Sequence, residues 1–299
     1  MTPTAAFVPL STGLSYELLS WDAEDPACDH TVLLLHGYLD SAWGWVPVME
    51  TGALRRHHVL APSFRGHGRS DWVGAGAMYY FLDYVADLQS LVATHAKKRL
   101  SVVGHSMGGT VAAYFTGASP ERVEKLALIE GLSAPESITG PARLRESMKQ
   151  RAQALASRGT KAAPGGKRYA TLEAAAARMR KHDAALSVAH ALMFAREGCV
   201  QLPSGEWVFP HDPLLSPPTP IGFELPVAAR FWGEITSELL FLEGGESPMR
   251  LGGEQRELRL GAFKNVRSRK EVLVPGAGHM MIRGAADVTA QHLAAFLDR

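Results

Sequence analysis

The sequence has few cysteines, no long apolar run and almost no net charge, and each of these absences excludes a class of protein. Its 299 residues contain two cysteines, Cys28 and Cys199, which are too few for a disulfide framework or a zinc cluster. No stretch approaches the roughly 20 apolar residues that a membrane-spanning helix needs, and the first ten residues lack the basic head and apolar segment of a signal peptide. A formal net charge of +1 gives no overall attraction to nucleic acid or to an anionic membrane. We therefore expect a cytoplasmic protein that binds no nucleic acid and inserts stably into no membrane.

The composition is that of an ordinary globular protein, with 46% hydrophobic and 20% charged residues. That length suits one large domain or a domain with an insertion. The charge is unevenly distributed, because residues 141–182 contain eleven Lys and Arg but two Glu. A basic segment therefore sits in a chain whose remainder is acidic.

Short apolar runs alternate with longer amphipathic stretches along most of the chain. The runs are typical of strands that are buried on both faces of a parallel sheet. They lie at residues 32–35, 58–61, 100–103, 126–129, 239–242 and 272–274. Residues 80–95 and 288–297 carry apolar side chains at helical spacing. This alternation predicts an α/β fold with a mostly parallel central sheet flanked by helices.

The alternation stops between residue 131 and about residue 235. Pro141 suits the first position of a helix that ends near Gly159, and Thr171 suits the N-cap of an alanine-rich helical stretch that continues toward Gly198. Runs at residues 200–202 and 207–209 flank the turn sequence PSGE and predict a small hairpin. We interpret residues 133–235 as a mainly helical cap inserted between two sheet strands, with the core in residues 1–132 and 236–299.

The strongest local motif is Gly104-His105-Ser106-Met107-Gly108, which lies between the run at 100–103 and a helix-compatible stretch. A G-x-S-x-G sequence at a strand-to-helix turn exposes its serine in a strained conformation, and the flanking glycines let the backbone pass closely. The N-terminus of the following helix favours developing negative charge. The motif predicts that Ser106 is a catalytic nucleophile.

A serine hydroxyl needs a neighbouring base to become a good nucleophile. His279 is the best candidate among twelve histidines, because the sequence GAGH follows the run at 272–274 and precedes the last predicted helix. A loop at the C-terminal end of a strand can reach across the sheet edge to the serine. We therefore predict that His279 is the base.

Five segments of the chain together resemble the α/β-hydrolase superfamily. They are LLLHGYLD (33–40), FRGHGRSD (64–71), VVGHSMGG (102–109), PERVEKLALIEG (120–131) and VPGAGHM (274–280). The cap segment GCVQLPSGEWVFPHDP is similar to the serine-hydrolase-like members of the haloalkane-dehalogenase-like branch.

The resemblance implies an oxyanion hole formed by the backbone N–H groups of Tyr38 and Met107. Ser63 departs from the family pattern, in which many members have an aspartate before the RGHG sequence, and we expect this change to alter local hydrogen bonding rather than chemistry. Haloalkane dehalogenases and epoxide hydrolases of this fold have an aspartate at the position of Ser106, so neither activity is expected.

Two residues remain candidates for the acid that orients His279. Many relatives place it in the loop after the strand that follows the cap, where Glu246 is the nearest carboxylate in the sequence EGGESP. Other branches place it at the end of the run at 126–129, where Glu130 stands next to the predicted nucleophile strand. A glutamate that closes a buried strand needs a partner, which favours Glu130. Either acid would fix the imidazole tautomer and stabilise the imidazolium.

The sequence predicts a serine hydrolase that cleaves esters of small or medium acyl groups through an acyl-enzyme. The same triad allows thioester hydrolysis, acyl transfer or carbon–carbon bond hydrolysis, and some members of the superfamily are non-catalytic ligand-binding proteins. Neither a dinucleotide motif nor metal-ligand spacing occurs, so we expect no cofactor and no metal. The basic cap is interpreted either as a solvated surface or as a device that steers anionic substrates or docks on an acidic surface.

Overall fold

The computed structural model describes residues 2–132 and 134–299. In chain order, its strands are β1 (Thr4–Pro9), β2 (Ser15–Trp21), β3 (His30–Leu35), β4 (His58–Pro62), β5 (Arg99–His105), β6 (Lys125–Ile129), β7 (Arg168–Tyr169), β8 (Val200–Gln201), β9 (Trp207–Val208), β10 (Glu238–Gly244) and β11 (Ser268–Val274). Its helices are α1 (Val46–Glu50), α2 (Phe81–His95), α3 (Met107–Ala118), α4 (Pro141–Ser157), α5 (Leu172–His182), α6 (Val188–Gly198), α7 (Leu225–Trp232), α8 (Gly253–Gly261), α9 (Met281–Gly284) and α10 (Ala286–Leu297).

The central sheet has the order β1-β2-β4-β3-β5-β6-β10-β11. All neighbouring pairs from β4 to β11 are parallel, whereas β2 runs antiparallel to both β1 and β4. The predicted mostly parallel sheet is confirmed. This order places the C-terminal ends of β5, β6, β10 and β11 side by side, and the predicted site residues lie at those ends.

The central strands of the sheet are buried on both faces, which explains their unbroken apolar runs. In β3, Leu33 and Leu35 pack on the side of α2 and α3, and Val32 and Leu34 pack on the side of α1 and α10. All four side chains are fully buried. Burial of this kind contributes about 1.5–3 kcal/mol for each large apolar side chain, so the sheet is a rigid support for the loops at its edge.

The segment that the sequence predicts as a cap lies between β6 and β10 and contains α4 to α7 together with a small sheet of order β7-β9-β8. Thr171 caps α5 as predicted, because its hydroxyl accepts a hydrogen bond from the N–H of Ala174 at 3.2 Å. The prediction of one continuous helical stretch toward Gly198 is wrong. The chain leaves the helix after residue 182, and Ser187 starts α6 by accepting the N–H of His190 at 3.1 Å.

Basic residues of the predicted cap have partners both within that segment and in the core. Arg158 donates to both carboxylate oxygens of Asp212, at 2.9 and 2.6 Å, and its guanidinium lies 5.3 Å from the ring centroid of Trp72. Lys161 lies 2.7 Å from the carboxylate of Asp71. The Asp212 side chain is fully buried and also accepts a hydrogen bond from Tyr79 at 2.6 Å. These basic residues therefore have structural partners.

Candidate active site

Ser106 occupies the turn between β5 and α3 in a strained backbone conformation, with φ 52° and ψ −120°. Its N–H donates to the carbonyl of Ile129 at 2.9 Å, which ties the turn to the end of β6. A Cβ atom on Gly104 would lie 2.3 Å from the carbonyl oxygen of Gly108, and one on Gly108 would lie 2.4 Å from that of Leu35. Only glycine fits at both positions, so the motif is required by the close backbone packing of this turn.

His279 lies beside Ser106, as the sequence predicted. It follows β11 on the loop 275–280, and its Nε2 is 3.0 Å from Ser106 Oγ. The buried side chain of His105 donates from Nε2 to the backbone carbonyl of His279 at 2.8 Å. Burial, and then the positive charge of a protonated His279, lower the pKa of His105 to about 4. His105 is therefore a neutral donor at pH 7 that fixes the backbone of the His279 loop.

Glu130 completes the hydrogen-bonded chain from Ser106. It follows the last residue of β6 in the left-handed region, with φ 56°, and its Oε2 is 3.2 Å from His279 Nδ1. The N–H of Gly244 donates to Oε1 at 2.6 Å, and the hydroxyl of Ser247 donates to Oε2 at 2.5 Å. Burial alone would raise the pKa of Glu130, but hydrogen bonds from His279, Ser247 and Gly244 outweigh it and lower the pKa. Glu130 is therefore a carboxylate at neutral pH.

Glu246, the other acid that the sequence left open, does not reach His279. It is exposed, and its backbone N–H donates to the carbonyl of Ala277 at 2.9 Å. In the ranges that the structure describes, the ion pair of His279 is formed with Glu130. The end of β10 and the loop after it nevertheless contribute to the site, because Gly244 and Ser247 donate to Glu130.

Tyr38 and Met107 both border the same cavity as Ser106. Met107 is the first residue of α3, a position whose N–H has no carbonyl partner within the helix. The Tyr38 side chain is half exposed, and its hydroxyl donates to the carbonyl of Leu215 in the cap at 3.3 Å. The positions of both residues suit the predicted use of their main-chain N–H groups.

The turn that carries Tyr38 is braced by His36. Its Nδ1 donates to the carbonyl of Gly37 at 2.7 Å, and its Nε2 accepts the N–H of Phe64 at 2.9 Å. Burial lowers the pKa of His36 to about 3, which keeps one ring nitrogen available as an acceptor. His36 has a structural role in this turn, in line with its position after β3.

Ser63 is hydrogen-bonded in a way that explains its departure from the family pattern. Its hydroxyl donates to the carboxylate of the buried Glu17 at 2.9 Å and accepts the N–H of Ala42 at 3.1 Å. The indole N–H of Trp43 also donates to Glu17, at 3.2 Å. A carboxylate from β2 therefore lies next to residue 63, and the chain needs no acidic side chain at that position.

The cavity above Ser106 has a volume of about 430 Å³. Sequence analysis missed several residues of its wall, because two of them lie on the helices α2 and α3 and four on loops, and only the folded chain brings them together. These residues are Phe81, Thr110, Ala134, Pro135, Met249 and Met280. Their mostly apolar side chains make a site that suits an uncharged, partly apolar substrate.

The described parts of the chain contain no group of three or more His, Cys, Asp or Glu residues that could hold a metal ion. Within the same ranges, no helix has both the length and the apolar character that crossing a bilayer would require. What the site offers is a serine, a histidine and a carboxylate in hydrogen-bonding order, next to a cavity at the edge of the sheet.

Comparisons with known proteins agree with the observed fold. A serine hydrolase-like protein of Danio rerio is 37% identical over 108 residues, which make up 35% of this chain and 32% of that protein. A thioesterase domain from the curacin biosynthetic pathway superposes with a TM-score of 0.81 at 20% identity, over 99% of this chain and 100% of that one. A hypothetical protein of Pseudomonas aeruginosa PAO1 gives a TM-score of 0.81 at 25% identity, with both chains fully covered.

The sequence matches to curated relatives are partial. This chain spans 31% to 48% of the length of the zebrafish protein and two human serine hydrolase-like proteins. The family model described as alpha/beta hydrolase fold matches residues 30–234, which is more than half of the chain. The chain therefore belongs to the α/β-hydrolase fold family.

Proposed function

We propose that the protein is a serine hydrolase that cleaves carboxylic esters through a covalent acyl-enzyme. The observation that carries the proposal is the hydrogen-bonded order of Ser106 Oγ, the His279 ring and the Glu130 carboxylate, with distances of 3.0 and 3.2 Å. Each group has the position that nucleophile, base and orienting acid need. Relatives named serine hydrolase-like support the same chemistry.

In the first half of the reaction, His279 Nε2 takes the proton of Ser106 as Oγ attacks the acyl carbon. The oxygen of the resulting tetrahedral intermediate accepts hydrogen bonds from the main-chain N–H groups of Tyr38 and Met107. Glu130 holds the proton of His279 on Nδ1 and stabilises the imidazolium. When the intermediate collapses, His279 protonates the alcohol oxygen, and the alcohol leaves.

In the second half, His279 takes a proton from water, and the hydroxide attacks the acyl-enzyme. Collapse of the second intermediate returns the proton to Ser106 and releases the carboxylic acid. The net reaction is ester plus water to acid plus alcohol. A thioester would follow the same steps with a thiol as the leaving group.

The test is turnover of p-nitrophenyl butyrate together with labelling by a fluorophosphonate probe. Ser106→Ala is expected to abolish labelling and to lower kcat by about 10⁴-fold or more, because the covalent step is lost. Ser119→Ala is the matched control, since Ser106 and Ser119 flank the two ends of α3. The control variant should keep wild-type labelling and turnover.

Tight ligand binding without turnover of any ester or thioester would contradict the proposal and identify a non-catalytic binding protein. Wild-type turnover by Ser106→Ala would refute the role of the serine. Adding a primary alcohol to the assay separates hydrolysis from acyl transfer, because a transferase would form the new ester at the expense of the acid.

A further inference from the structure

A second, larger cavity lies beside the catalytic one. Its volume is about 700 Å³, and it runs between the start of α2, α3 and the cap segment that leads into α7. The walls are mainly aromatic and aliphatic, with contributions from Tyr80, Tyr114, Leu215, Pro218, Phe223 and Val227. A cavity of this size and character is typical of a small-molecule site.

The two cavities meet at four residues that line both of them, namely Tyr38, Phe81, Met107 and Pro135. Two of these carry the N–H groups that face the developing oxyanion in the proposed mechanism. His279 and Met280 line the catalytic cavity alone. The second cavity therefore opens from the Tyr38 and Met107 side of Ser106, away from His279.

This placement distinguishes the two halves of an ester. The alcohol oxygen must receive its proton from His279, so the alcohol half lies on the His279 side of the scissile bond. The acyl half then extends toward the shared residues. We propose that the second cavity binds the hydrocarbon chain of a fatty acyl group, so that the substrate is a medium- to long-chain acyl ester; this inference rests on the proposed hydrolysis at Ser106.

Several polar groups in the wall of the second cavity already have partners. The Tyr79 hydroxyl donates to Asp212 at 2.6 Å, and the Tyr38 hydroxyl donates to the carbonyl of Leu215 at 3.3 Å. Asp83 provides the single formal charge among the described lining residues, and its carboxylate accepts the N–H of Tyr80 at 3.2 Å and faces Arg65. A hydrocarbon chain suits such walls, whereas a sugar or a charged group would lose its hydrogen bonds to water.

The test uses two substrate series in parallel. In the first, p-nitrophenol is constant and the acyl chain grows from acetyl through butyryl and octanoyl to dodecanoyl. In the second, the acetyl group is constant and the alkyl alcohol grows over the same lengths. Each methylene that leaves water should raise kcat/KM about fourfold in the acyl series, which is about two orders of magnitude from butyrate to octanoate. The alcohol series should show no comparable increase.

Val227→Trp tests whether the second cavity binds the hydrocarbon chain of the acyl group. Val227 lines that cavity at the third position of α7 and is 45% exposed. Tryptophan there should lower the ratio of kcat/KM for octanoate over butyrate about tenfold. Val288→Trp is the matched control, because Val288 is the third residue of α10, is 38% exposed and lines neither cavity. It should keep the wild-type ratio.

Ser216→Trp, at an exposed position that lines the same cavity, repeats the test if the first variant does not fold. If the enzyme hydrolyses p-nitrophenyl acetate at Ser106 but kcat/KM does not rise with acyl length, the second cavity does not bind the acyl chain. That result would leave the proposed function intact. An increase with the length of the alcohol instead of the acyl group would also overturn the binding of the acyl chain in the second cavity. Absence of hydrolysis throughout both series, with no fluorophosphonate labelling, would overturn the proposed function itself.

Discussion

Replacing Glu130 by glutamine keeps the size of the side chain but removes the charge that faces His279. The glutamine carbonyl can still accept the N–H of Gly244, which donates to Oε1 at 2.6 Å. Its amide then points an N–H group at His279 Nδ1, where the carboxylate accepts a hydrogen bond at 3.2 Å. That arrangement favours the tautomer with the proton on Nε2, which cannot take the proton of Ser106.

The size of the effect follows from the geometry. At a separation of 3.2 Å between Glu130 Oε2 and His279 Nδ1 and an effective dielectric constant of about 20, Coulomb's law gives about 5 kcal/mol for the pair formed when the imidazole becomes charged. Since 1.36 kcal/mol corresponds to about a tenfold change in rate, kcat should fall about 10³- to 10⁴-fold. Removal of the acid in a serine-protease triad lowers kcat by about 10⁴, which is the same range.

The assay is steady-state hydrolysis of p-nitrophenyl butyrate, with kcat and KM determined separately and folding checked by urea denaturation. The loss should appear in kcat, because Glu130 acts on the transition state through His279 and does not contact the substrate. Glu246→Gln is the matched control and should stay within about twofold of the wild type, since Glu246 is exposed. The reasoning fails if Glu130→Gln loses less than tenfold in kcat, or if Glu246→Gln loses as much.

Two further predictions concern stability. Ser63→Asp should lower the free energy of unfolding at pH 7, measured by urea denaturation, by about 2–4 kcal/mol, because it places a second carboxylate against the buried Glu17. Adding Glu17→Gln to the Ser63→Asp variant should restore at least half of the lost free energy of unfolding. Burial, and then the positive charge of His57, lower the pKa of His30 to about 4. As the pH falls below about 6.5, the His30 side chain is therefore protonated in the unfolded protein before it is protonated in the folded protein, and the free energy of unfolding decreases. His30→Asn should reduce the loss of stability between pH 7 and 5 by about 1–2 kcal/mol, and an unchanged loss would show that His30 is not the group that titrates.

The sheet could be predicted from the sequence where a buried strand is an unbroken apolar run. Residues 32–35 form an unbroken apolar run because each neighbouring face packs on helices, and that run lies within β3. The strand β1 was not among the predicted strands; it is at an edge of the sheet and most of its residues are exposed, so it is not the doubly buried kind of strand that the apolar runs predict. The break between α5 and α6 was missed because no glycine or proline interrupts the alanine-rich stretch before Ser187.

The acid of the site shows where local sequence stops being informative. Glu130 and Glu246 each follow a buried strand, β6 and β10, and those two strands pair with one another in parallel. A carboxylate at either strand end can therefore approach His279, and the sequence favours Glu130 only through the cost of burying an unpaired carboxylate. The decision depends on the surroundings of each side chain in the folded protein.

A buried carboxylate must be compensated by hydrogen bonds or charge, because burial without them costs several kcal/mol. Glu130 receives donors from the end of β10 and from the loops after β10 and β11, whereas Glu246 projects into solvent. The end of β10 and the loop after it supply two of these donors, Gly244 and Ser247. The segment that suggested Glu246 as the acid thus belongs to the site as the support of Glu130: it keeps Glu130 charged and leaves one face of the carboxylate for His279.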